Sequence, residues 1–338
     1  MIIIRPIRSS DYEVLHSIAI ESGHGFTSLP VNEELLTSRI NRATHSFHKK
    51  EEANGDEGYL FVMEDTDTGE VVGTSGIEAA VGLNDAFYHY HLGKVVHSSR
   101  ELGIYNTVET LTLNNDYTGA SELCTLFLRD TYRVNNNGRF LSKFRFLFMA
   151  EHLDRFNHTV IAEMRGVSDK NGSSPFWQWL EEHFFSMDFP TADYLSGIGK
   201  KEFIAELMPK YPIYVSLLSK AAQEVIGKAH ENTVPALRLL QNEGFISRGY
   251  VDIFDGGPTV EAELNSIKSV ANSKRLQVNI GTVSSTKKFI ICNTEVAEFR
   301  ATQMPIDIDA ENNTVTLDQQ TADAIQVADG GWVRVGAN

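Results

Sequence analysis

Residues 122–128 constrain the possible folds of this chain more than any other segment. Almost every side chain in the run Glu-Leu-Cys-Thr-Leu-Phe-Leu is apolar, which is typical of a strand buried on both faces of a sheet. A polar loop over residues 129–138 follows, and a basic, apolar helix is expected from residue 139 to about residue 152. The segment therefore predicts a central strand that leads through a loop into a helix.

The elements around this strand predict one mixed sheet flanked by helices. A strand over residues 2–7 and two helices, near residues 10–20 and 32–50, precede a β-hairpin whose turn contains Gly69. Glycine and aspartate suit such a turn. The other strands are expected over residues 59–64, 71–79, 87–96, 108–113 and 159–164. This order is that of an α/β (α+β) protein with a single twisted sheet.

The second half of the chain changes character twice. Residues 174–228 have a helical and strongly aromatic pattern. The apolar stripe of its first helix is formed by Phe176, Leu180 and Phe184, which recur at helical spacing. Beyond residue 250, short strands alternate with polar turns. We expect a first domain over residues 1–250 with a helical insertion at about 167–228, and a small β-rich, barrel-like domain over residues 251–338.

Charge and cysteine content limit the classes of function. The formal net charge of −15 disfavours nucleic-acid binding, because phosphate groups would be repelled. Only Cys124 and Cys292 are present, which argues against a disulfide framework and favours a reducing cytoplasm. No apolar run reaches the length of about 18 residues that a membrane-spanning helix needs. We therefore expect no membrane and no nucleic-acid partner.

The loop after the central strand is a candidate anion-binding site. Backbone N–H groups at the start of a helix are unpaired and lie at the positive end of the helix dipole. Gly138 would let a diphosphate approach the backbone closely, and Arg133, Arg139 and Lys143 add positive charge. On these residues alone, an Asn-rich turn before a basic helix explains the pattern equally well.

Two motifs, in this order along the chain, resemble those of the GNAT acyltransferase superfamily. The segment from Tyr132 to Arg139 is similar to its coenzyme A loop, and the segment from Asn232 to Phe245 is similar to its later helix. Asn136 stands where the superfamily has glycine. Since asparagine tolerates a positive φ better than most residues, the loop geometry can be kept.

Five further segments resemble the arginine N-succinyltransferase family and extend over nearly the whole chain. They are residues 121–128, 162–166, 174–177, 203–209 and 249–255. The resemblance implies transfer of a succinyl group from succinyl-CoA to the α-amine of L-arginine, by a homo- or hetero-oligomer of related subunits. It also implies that Leu126 and Leu128 pair with the pantetheine arm, and that Arg133, Gly138 and Arg139 bind the coenzyme.

His230 is the candidate for the residue that moves protons in a direct transfer within a ternary complex. Imidazole accepts and releases protons near pH 7, and by resemblance the family's proton donor falls on this position. On the residues alone, a capping or surface histidine is the commoner case.

A guanidinium group binds carboxylates in bidentate pairs. Three acidic residues are therefore candidates for binding the arginine side chain: Glu163, Asp252 and Asp255.

Covalent and metal-dependent chemistry are less favoured by the sequence. Cys124 lies within a predicted strand without a histidine neighbour, and a buried thiol is normally inert. His89 with His91, and His45 with His48, each lack a convincing third ligand, so no metal site is predicted.

Three alternatives stay open at this point. The acceptor can be ornithine or another basic amine, the chain can be an acyl-CoA-binding sensor without catalysis, or it can modify protein N-termini.

Arg133 and Asn232 lie much further apart than the matching positions of most GNAT proteins. This spacing indicates that residues 167–228 are inserted, and we expect the insertion to form a wall of the acceptor site.

Overall fold

The computed structural model describes residues 1–23, 29–170, 172–200 and 202–338, and within them the chain forms sixteen strands and ten α-helices. The strands are β1 (Ile2–Pro6), β2 (Gly58–Asp65), β3 (Glu70–Glu78), β4 (His89–Ser99), β5 (Ile104–Asn114), β6 (Ser121–Leu128), β7 (Thr159–Glu163), β8 (Ile213–Tyr214), β9 (Ile246–Val251), β10 (Pro258–Glu263), β11 (Lys274–Ile280), β12 (Lys288–Asn293), β13 (Ala301–Pro305), β14 (Asp307–Asp309), β15 (Thr314–Leu317) and β16 (Trp332–Ala337). The α-helices are α1 (Tyr12–Ser22), α2 (Glu33–His48), α3 (Asn137–Glu151), α4 (Pro175–Leu180), α5 (Phe189–Gly197), α6 (Glu202–Leu207), α7 (Lys220–Val225), α8 (Val234–Glu243), α9 (Lys268–Asn272) and α10 (Gln319–Ala324). The mixed α/β class predicted from the sequence is confirmed.

The strands pair into one continuous mixed sheet. Its order is β14-β15-β11-β16-β12-β13-β1-β2-β3-β6-β7-β10-β9-β4-β5-β8. The pairs β6–β7 and β11–β15 are parallel, whereas the pairs around them, such as β3–β6 and β7–β10, are antiparallel. The predicted central strand is β6. Its burial alternates between buried and half-buried positions, so the expectation of two buried faces was wrong, because one set of its side chains faces an open cavity.

Two irregularities of β6 create that open space. The parallel register with β7 covers Ser121 opposite Val160 and Glu122 opposite Ile161, and the two strands separate beyond it. On its other edge β6 has a bulge against β3, where the buried residue Thr125 has a φ of +55°. This backbone conformation is rare for a β-branched residue, and bulges concentrate next to active sites.

An aromatic core joins β2, α3 and the C-terminal part of the chain. The Phe61 ring centroid lies 4.9 Å from that of Phe144, 5.1 Å from that of Phe148 and 5.5 Å from that of Phe299. All four side chains are buried.

The C-terminal strands, expected as a barrel-like unit, continue the central sheet because β13 pairs with β1. The division of the chain after residue 250 stays a prediction; β10, which lies beyond it, pairs with β7 and β9.

A second apolar cluster holds the helices of the predicted insertion. Trp177 and Leu180 of α4 are buried there with Tyr90 of β4. The predicted stripe is wrong at Phe184, which is 39% exposed. The chain forms a π-helical turn after α4, and such a turn contains more residues than an α-helical one. Phe185 therefore turns inward instead, with its ring centroid 4.7 Å from that of Trp177.

Candidate active site

A cavity of about 1730 Å³ opens where β6 and β7 separate. Residues 122–127 line one side, and residues 162–165 line the other. The loop after β6, residues 232–233 before α8, and part of α5 complete the wall. The cavity thus brings together the central strand, the loop and the later motif that the sequence singled out.

The strand register sets the two ends of this cavity. Counting on from Glu122 opposite Ile161, Glu163 is level with Cys124, close to the point where the strands join. The loop begins at Arg129, five residues beyond Cys124, which is about 16 Å at the rise of a strand. Along β6 the cavity therefore extends from an inner end near Glu163 to an outer end near the loop.

The junction between the loop and α3 contains a residue with left-handed backbone, a conformation that glycine adopts most easily. Asn136, the residue before α3, has φ 63° and ψ 18°, which is left-handed backbone. Asparagine is among the residues that adopt this conformation with least strain. Asn136 therefore adopts the positive φ that the sequence analysis considered, and its role in a coenzyme loop stays a prediction.

Of the five residues expected to bind the coenzyme, Leu126 and Arg133 line the cavity. Arg133 is exposed; its Nε donates to the Leu128 carbonyl at 3.0 Å, and its Nη1 lies 2.9 Å from Oδ1 of Asp130. Leu128 is buried, Gly138 is half-buried and Arg139 is exposed. None of these three is among the described residues of the cavity wall, and their role in coenzyme binding stays a prediction.

The three carboxylates expected to bind the acceptor all line the cavity. Asp252 Oδ1 accepts two backbone N–H bonds from its own turn, at 2.7 and 2.8 Å. Asp255 accepts N–H bonds from Gly166 at 2.6 Å and from Gly257 at 2.8 Å. Burial raises the pKa of both aspartates, and the nearby charge of Asp252 raises the pKa of Asp255 further. A bound cation would counteract these shifts, because an opposite charge favours the ionised carboxylate.

The turn after β7 fits tightly against this acid pair. A Cβ atom at Gly166 would lie 2.5 Å from Oδ1 of Asp255, so any larger residue would displace the carboxylate or the turn. The segment 162–166, one of those that carry the family resemblance, thus holds Asp255 in place through a backbone contact.

His89 belongs to the site although the sequence analysis assigned it no role there. It is fully buried, and its Nε2 lies 2.8 Å from Oε1 of Glu163. Burial outweighs the nearby carboxylates and lowers the pKa of His89 to about 4, so the ring is neutral near pH 7. A strand histidine beside His91 gives no local signal of this contact, because β4 and β7 are distant in the sequence and are separated by β10 and β9 in the sheet.

His230 lies beside the cavity, in the segment before α8, and is half-buried. Its backbone N–H donates to the Arg165 carbonyl at 2.8 Å, which ties this segment to the end of β7. Its Nδ1 accepts from the backbone N–H of Asn232 at 3.2 Å, a long hydrogen bond. The described wall includes Asn232 and Thr233 but not His230 itself. A catalytic role for His230 stays a prediction.

Seven arginine and lysine residues are among the described residues that line the cavity. Five lie within ion-pair distance of a carboxylate: Arg39 and Arg42 with Glu78, Lys49 with Glu57, Arg129 with Glu21 and Glu70, and Arg133 with Asp130. The other two are Arg145 and Arg165. Arg165 is half-buried and donates to Ser168 Oγ at 3.0 Å, whereas Arg145 is buried. Sequence reasoning did not single out Arg145, which lies inside an amphipathic helix among phenylalanines.

Burial raises the pKa of the Cys124 thiol far above its ordinary value, so the thiol stays protonated although it lines the cavity. In the part of the chain that the structure describes, no group of three or more His, Cys, Asp or Glu side chains could hold a metal ion. No described helix is long and apolar enough to cross a membrane.

Comparison with known proteins identifies the family. A family model described as arginine N-succinyltransferase beta subunit matches residues 2–269, and a model of that subunit's C-terminal domain matches residues 274–336. This chain belongs to the arginine N-succinyltransferase family. The resemblance inferred from the sequence motifs is thereby confirmed.

Relatives within the arginine N-succinyltransferase family match the chain over its full length. The arginine N-succinyltransferase of Citrobacter koseri is 48% identical over 337 residues, which are 99% of this chain and 97% of that protein. The protein of the same name from Escherichia coli is 47% identical, with the same coverage. The structure of arginine/ornithine succinyltransferase subunit AI from Pseudomonas aeruginosa has a TM-score of 0.92 and 36% identity, and covers 100% of this chain and 98% of that one.

Proposed function

We propose that this chain transfers a succinyl group from succinyl-CoA to the α-amine of L-arginine within a ternary complex. Family membership supports the reaction. The structural observation that favours it most is the cavity between β6 and β7, whose outer end adjoins the basic loop and whose inner end is lined by Glu163, Asp252 and Asp255. An anionic coenzyme and a cationic amino acid are each attracted to a different end of this space.

The coenzyme's pyrophosphate is proposed to bind where α3 begins. The N-terminus of a helix offers unpaired N–H groups to phosphate, and Arg133 lines the cavity close by. The space beside Gly138 is open, since an added Cβ atom would meet Leu128 Cδ2 at 3.9 Å, an ordinary contact. From this point the pantetheine arm can follow Leu128 and Leu126 along β6 into the cavity.

The inner end is proposed to bind the acceptor's guanidinium group. Such a group would supply the positive charge that the buried Asp252 and Asp255 lack, and carboxylates bind it in bidentate pairs. Phe189 and Asp193 of α5 line the cavity as well. Their position supports the proposal that the insertion at 167–228 forms a wall of the acceptor site.

The reaction removes two protons from the acceptor nitrogen and returns one to sulfur. The α-ammonium group of arginine first releases a proton to solvent, and the free amine attacks the thioester carbonyl carbon. The nitrogen loses its second proton as the amide forms, the C–S bond breaks, and the thiolate of coenzyme A takes up a proton. We propose that His230 accepts the second proton and passes it to the thiolate, a role that suits imidazole near pH 7. Its hydrogen bond to the end of β7 supports this role by placing it beside the cavity.

A thiol-release assay tests the proposal. Succinyl-CoA and acetyl-CoA are each offered with arginine, ornithine and lysine, and the product is identified by mass spectrometry. We expect release with succinyl-CoA and arginine and formation of an N-succinylated α-amine. Release chiefly with ornithine would favour the other acceptor, which the name of the Pseudomonas aeruginosa protein includes. Tight binding of succinyl-CoA without release from any amine would favour a sensor.

We propose further that the enzyme acts in the cytoplasm and assembles with copies of itself or with related subunits. Cys124 and Cys292 are both unpaired, which suits a reducing compartment. The outer end of the β4–β5 hairpin exposes Val96, Leu102 and Tyr105, and exposed apolar surface of this kind is used in interfaces. Native mass spectrometry of the purified chain gives the number of subunits directly.

A further inference from the structure

Arg145 is a buried cation in the wall of the cavity, and no carboxylate among the described residues is its counter-ion. Its side chain is 2% exposed and lines the cavity. Within the described residues, five of the other six cavity cations form ion pairs with carboxylates, and Arg165 is the exception. Arg145 takes part in none of these ion pairs. Burying an unpaired charge is strongly unfavourable. A ligand anion is the partner that would offset this cost.

The hydrogen bonds of Arg145 leave room for such an anion. Its Nε donates to the Ser142 carbonyl at 3.0 Å, its Nη2 to Ser142 Oγ at 3.2 Å, and its Nη1 to the Gly76 carbonyl at 3.5 Å. A guanidinium group has five N–H donors. Within the described residues, these bonds leave one N–H on each terminal nitrogen. Two neighbouring N–H groups match the two oxygens of a carboxylate.

The position of Arg145 along α3 matches the position where an acyl group would lie. Eight residues separate it from Asn137 at the start of the helix, which is about 12 Å of helix. Cys124 lies four residues before Leu128, which is about 13 Å of strand. The two distances place Arg145 and Cys124 at a similar depth below the loop. The contact with Gly76 agrees with this, because Gly76 is the β3 residue opposite Cys124.

We infer that Arg145 binds the free carboxylate of the succinyl group and thereby selects succinyl-CoA over acyl donors that lack this charge. The inference rests on the proposed function, in which the pantetheine arm follows β6 into the cavity. Arg165 is less suited, since it is half-buried, donates to Ser168 and follows β7 rather than facing β6.

Donor selectivity tests this role. The full-length protein and the variants Arg145→Met and Arg145→Lys are assayed with arginine and either succinyl-CoA or butyryl-CoA, which has the same chain length but a methyl group in place of the carboxylate. In Arg145→Met the ratio of kcat/KM for succinyl-CoA to kcat/KM for butyryl-CoA is expected to fall by roughly 100-fold or more, as is typical when one partner of a buried charge pair is removed. The loss is confined to succinyl-CoA, and Arg145→Lys restores part of the ratio.

Arg300→Met is the matched control, because Arg300 is a buried arginine outside the described wall of the cavity. It is expected to keep the wild-type ratio even if the protein loses stability. The Tm of ligand-free Arg145→Met is expected to equal or exceed that of the wild type, since it removes an unpaired buried charge.

An unchanged donor ratio in Arg145→Met would refute the inference. So would an equal loss with both donors together with a lower Tm, which is the result of a merely structural role. Wild-type protein that releases no thiol from any donor with arginine would refute the proposed function and the inference with it. Wild-type protein that succinylates arginine while Arg145→Met keeps its preference would refute the inference alone.

Discussion

Three ionisable side chains of the cavity wall, together with His89 beside Glu163, lie where burial opposes their charge. Burial raises the pKa of Asp252 and Asp255, lowers the pKa of His89 to about 4 and lowers the pKa of Arg145 to about 10. These two acids and two bases are pushed towards their neutral forms, so this part of the site resists being charged. Groups perturbed in this way and gathered in one cleft mark a functional site. Ligands that bring both a cation and an anion would relieve the perturbation on both sides.

His230→Ala is expected to lower kcat by roughly 100-fold or more if the imidazole transfers the reaction's protons. Initial rates of thiol release at saturating succinyl-CoA and arginine measure the effect. His158→Ala is a suitable control, because His158 is exposed and outside the described cavity wall. A correctly folded His230→Ala protein with the wild-type rate would remove His230 from the mechanism.

At the scale of elements, the junction of β6 with α3 depends on a residue with left-handed backbone and on a distant side chain. Gln303 of β13 donates through its Nε2 to the Asn135 carbonyl and to Asn137 Oδ1, each at 3.0 Å. These bonds fix the loop on either side of Asn136. The geometry of the candidate coenzyme site therefore depends on a strand from the other end of the chain.

Asn136→Val is expected to weaken coenzyme A binding roughly tenfold, because a β-branched residue is strained in left-handed backbone. Asn136→Gly is expected to keep the affinity. Isothermal titration calorimetry with coenzyme A measures both. The matched control is Asn313→Val, at another left-handed position with φ 52° outside the described cavity wall. Equal affinity in Asn136→Val and the wild type would show that this geometry is not needed for the coenzyme.

The parts of the fold that depend on local patterns could be predicted from the sequence. The strand β6 follows from its apolar run, the hairpin of β2 and β3 from its turn residues, and the left-handed Asn136 from the backbone preference of asparagine. The π-helical turn, which exposes Phe184 and buries Phe185, could not be predicted, because tertiary packing selects this turn over the α-helical spacing. The contact of His89 with Glu163 and the burial of Arg145 were missed for a similar reason, since both depend on how elements distant in the sequence pack and not on neighbouring residues.

At the scale of the whole molecule, the C-terminal strands are an integral part of the central sheet. β13 pairs with β1, and the Phe299 ring completes the core around Phe61 and Phe148. The two family models meet between residues 269 and 274, at the end of α9, whereas the sheet contains strands from both parts. The C-terminal part has an apolar cluster of its own, but its Phe299 belongs to the cluster of the first part.

A chain that ends at residue 272 is expected not to unfold cooperatively, because it would expose the aromatic side chains that surround Phe299 and leave one edge of β1 unpaired. Near-ultraviolet circular dichroism during thermal unfolding, compared with the full-length protein, measures this. A sharp transition together with normal coenzyme A binding in the shortened chain would instead support two independent domains.

The pairing of β1 with β13 also bears on how the protein is made. Thr302 Oγ1 donates to the Ile2 carbonyl at 2.9 Å, and 300 positions separate the two residues. A ribosome adds about 5–20 residues per second, so one edge of the isoleucine-rich β1 waits roughly 15–60 s for its partner. Unpaired apolar strand edges readily join other chains. The yield of this enzyme in a cell therefore depends on how well its first strand is protected until its last strands emerge.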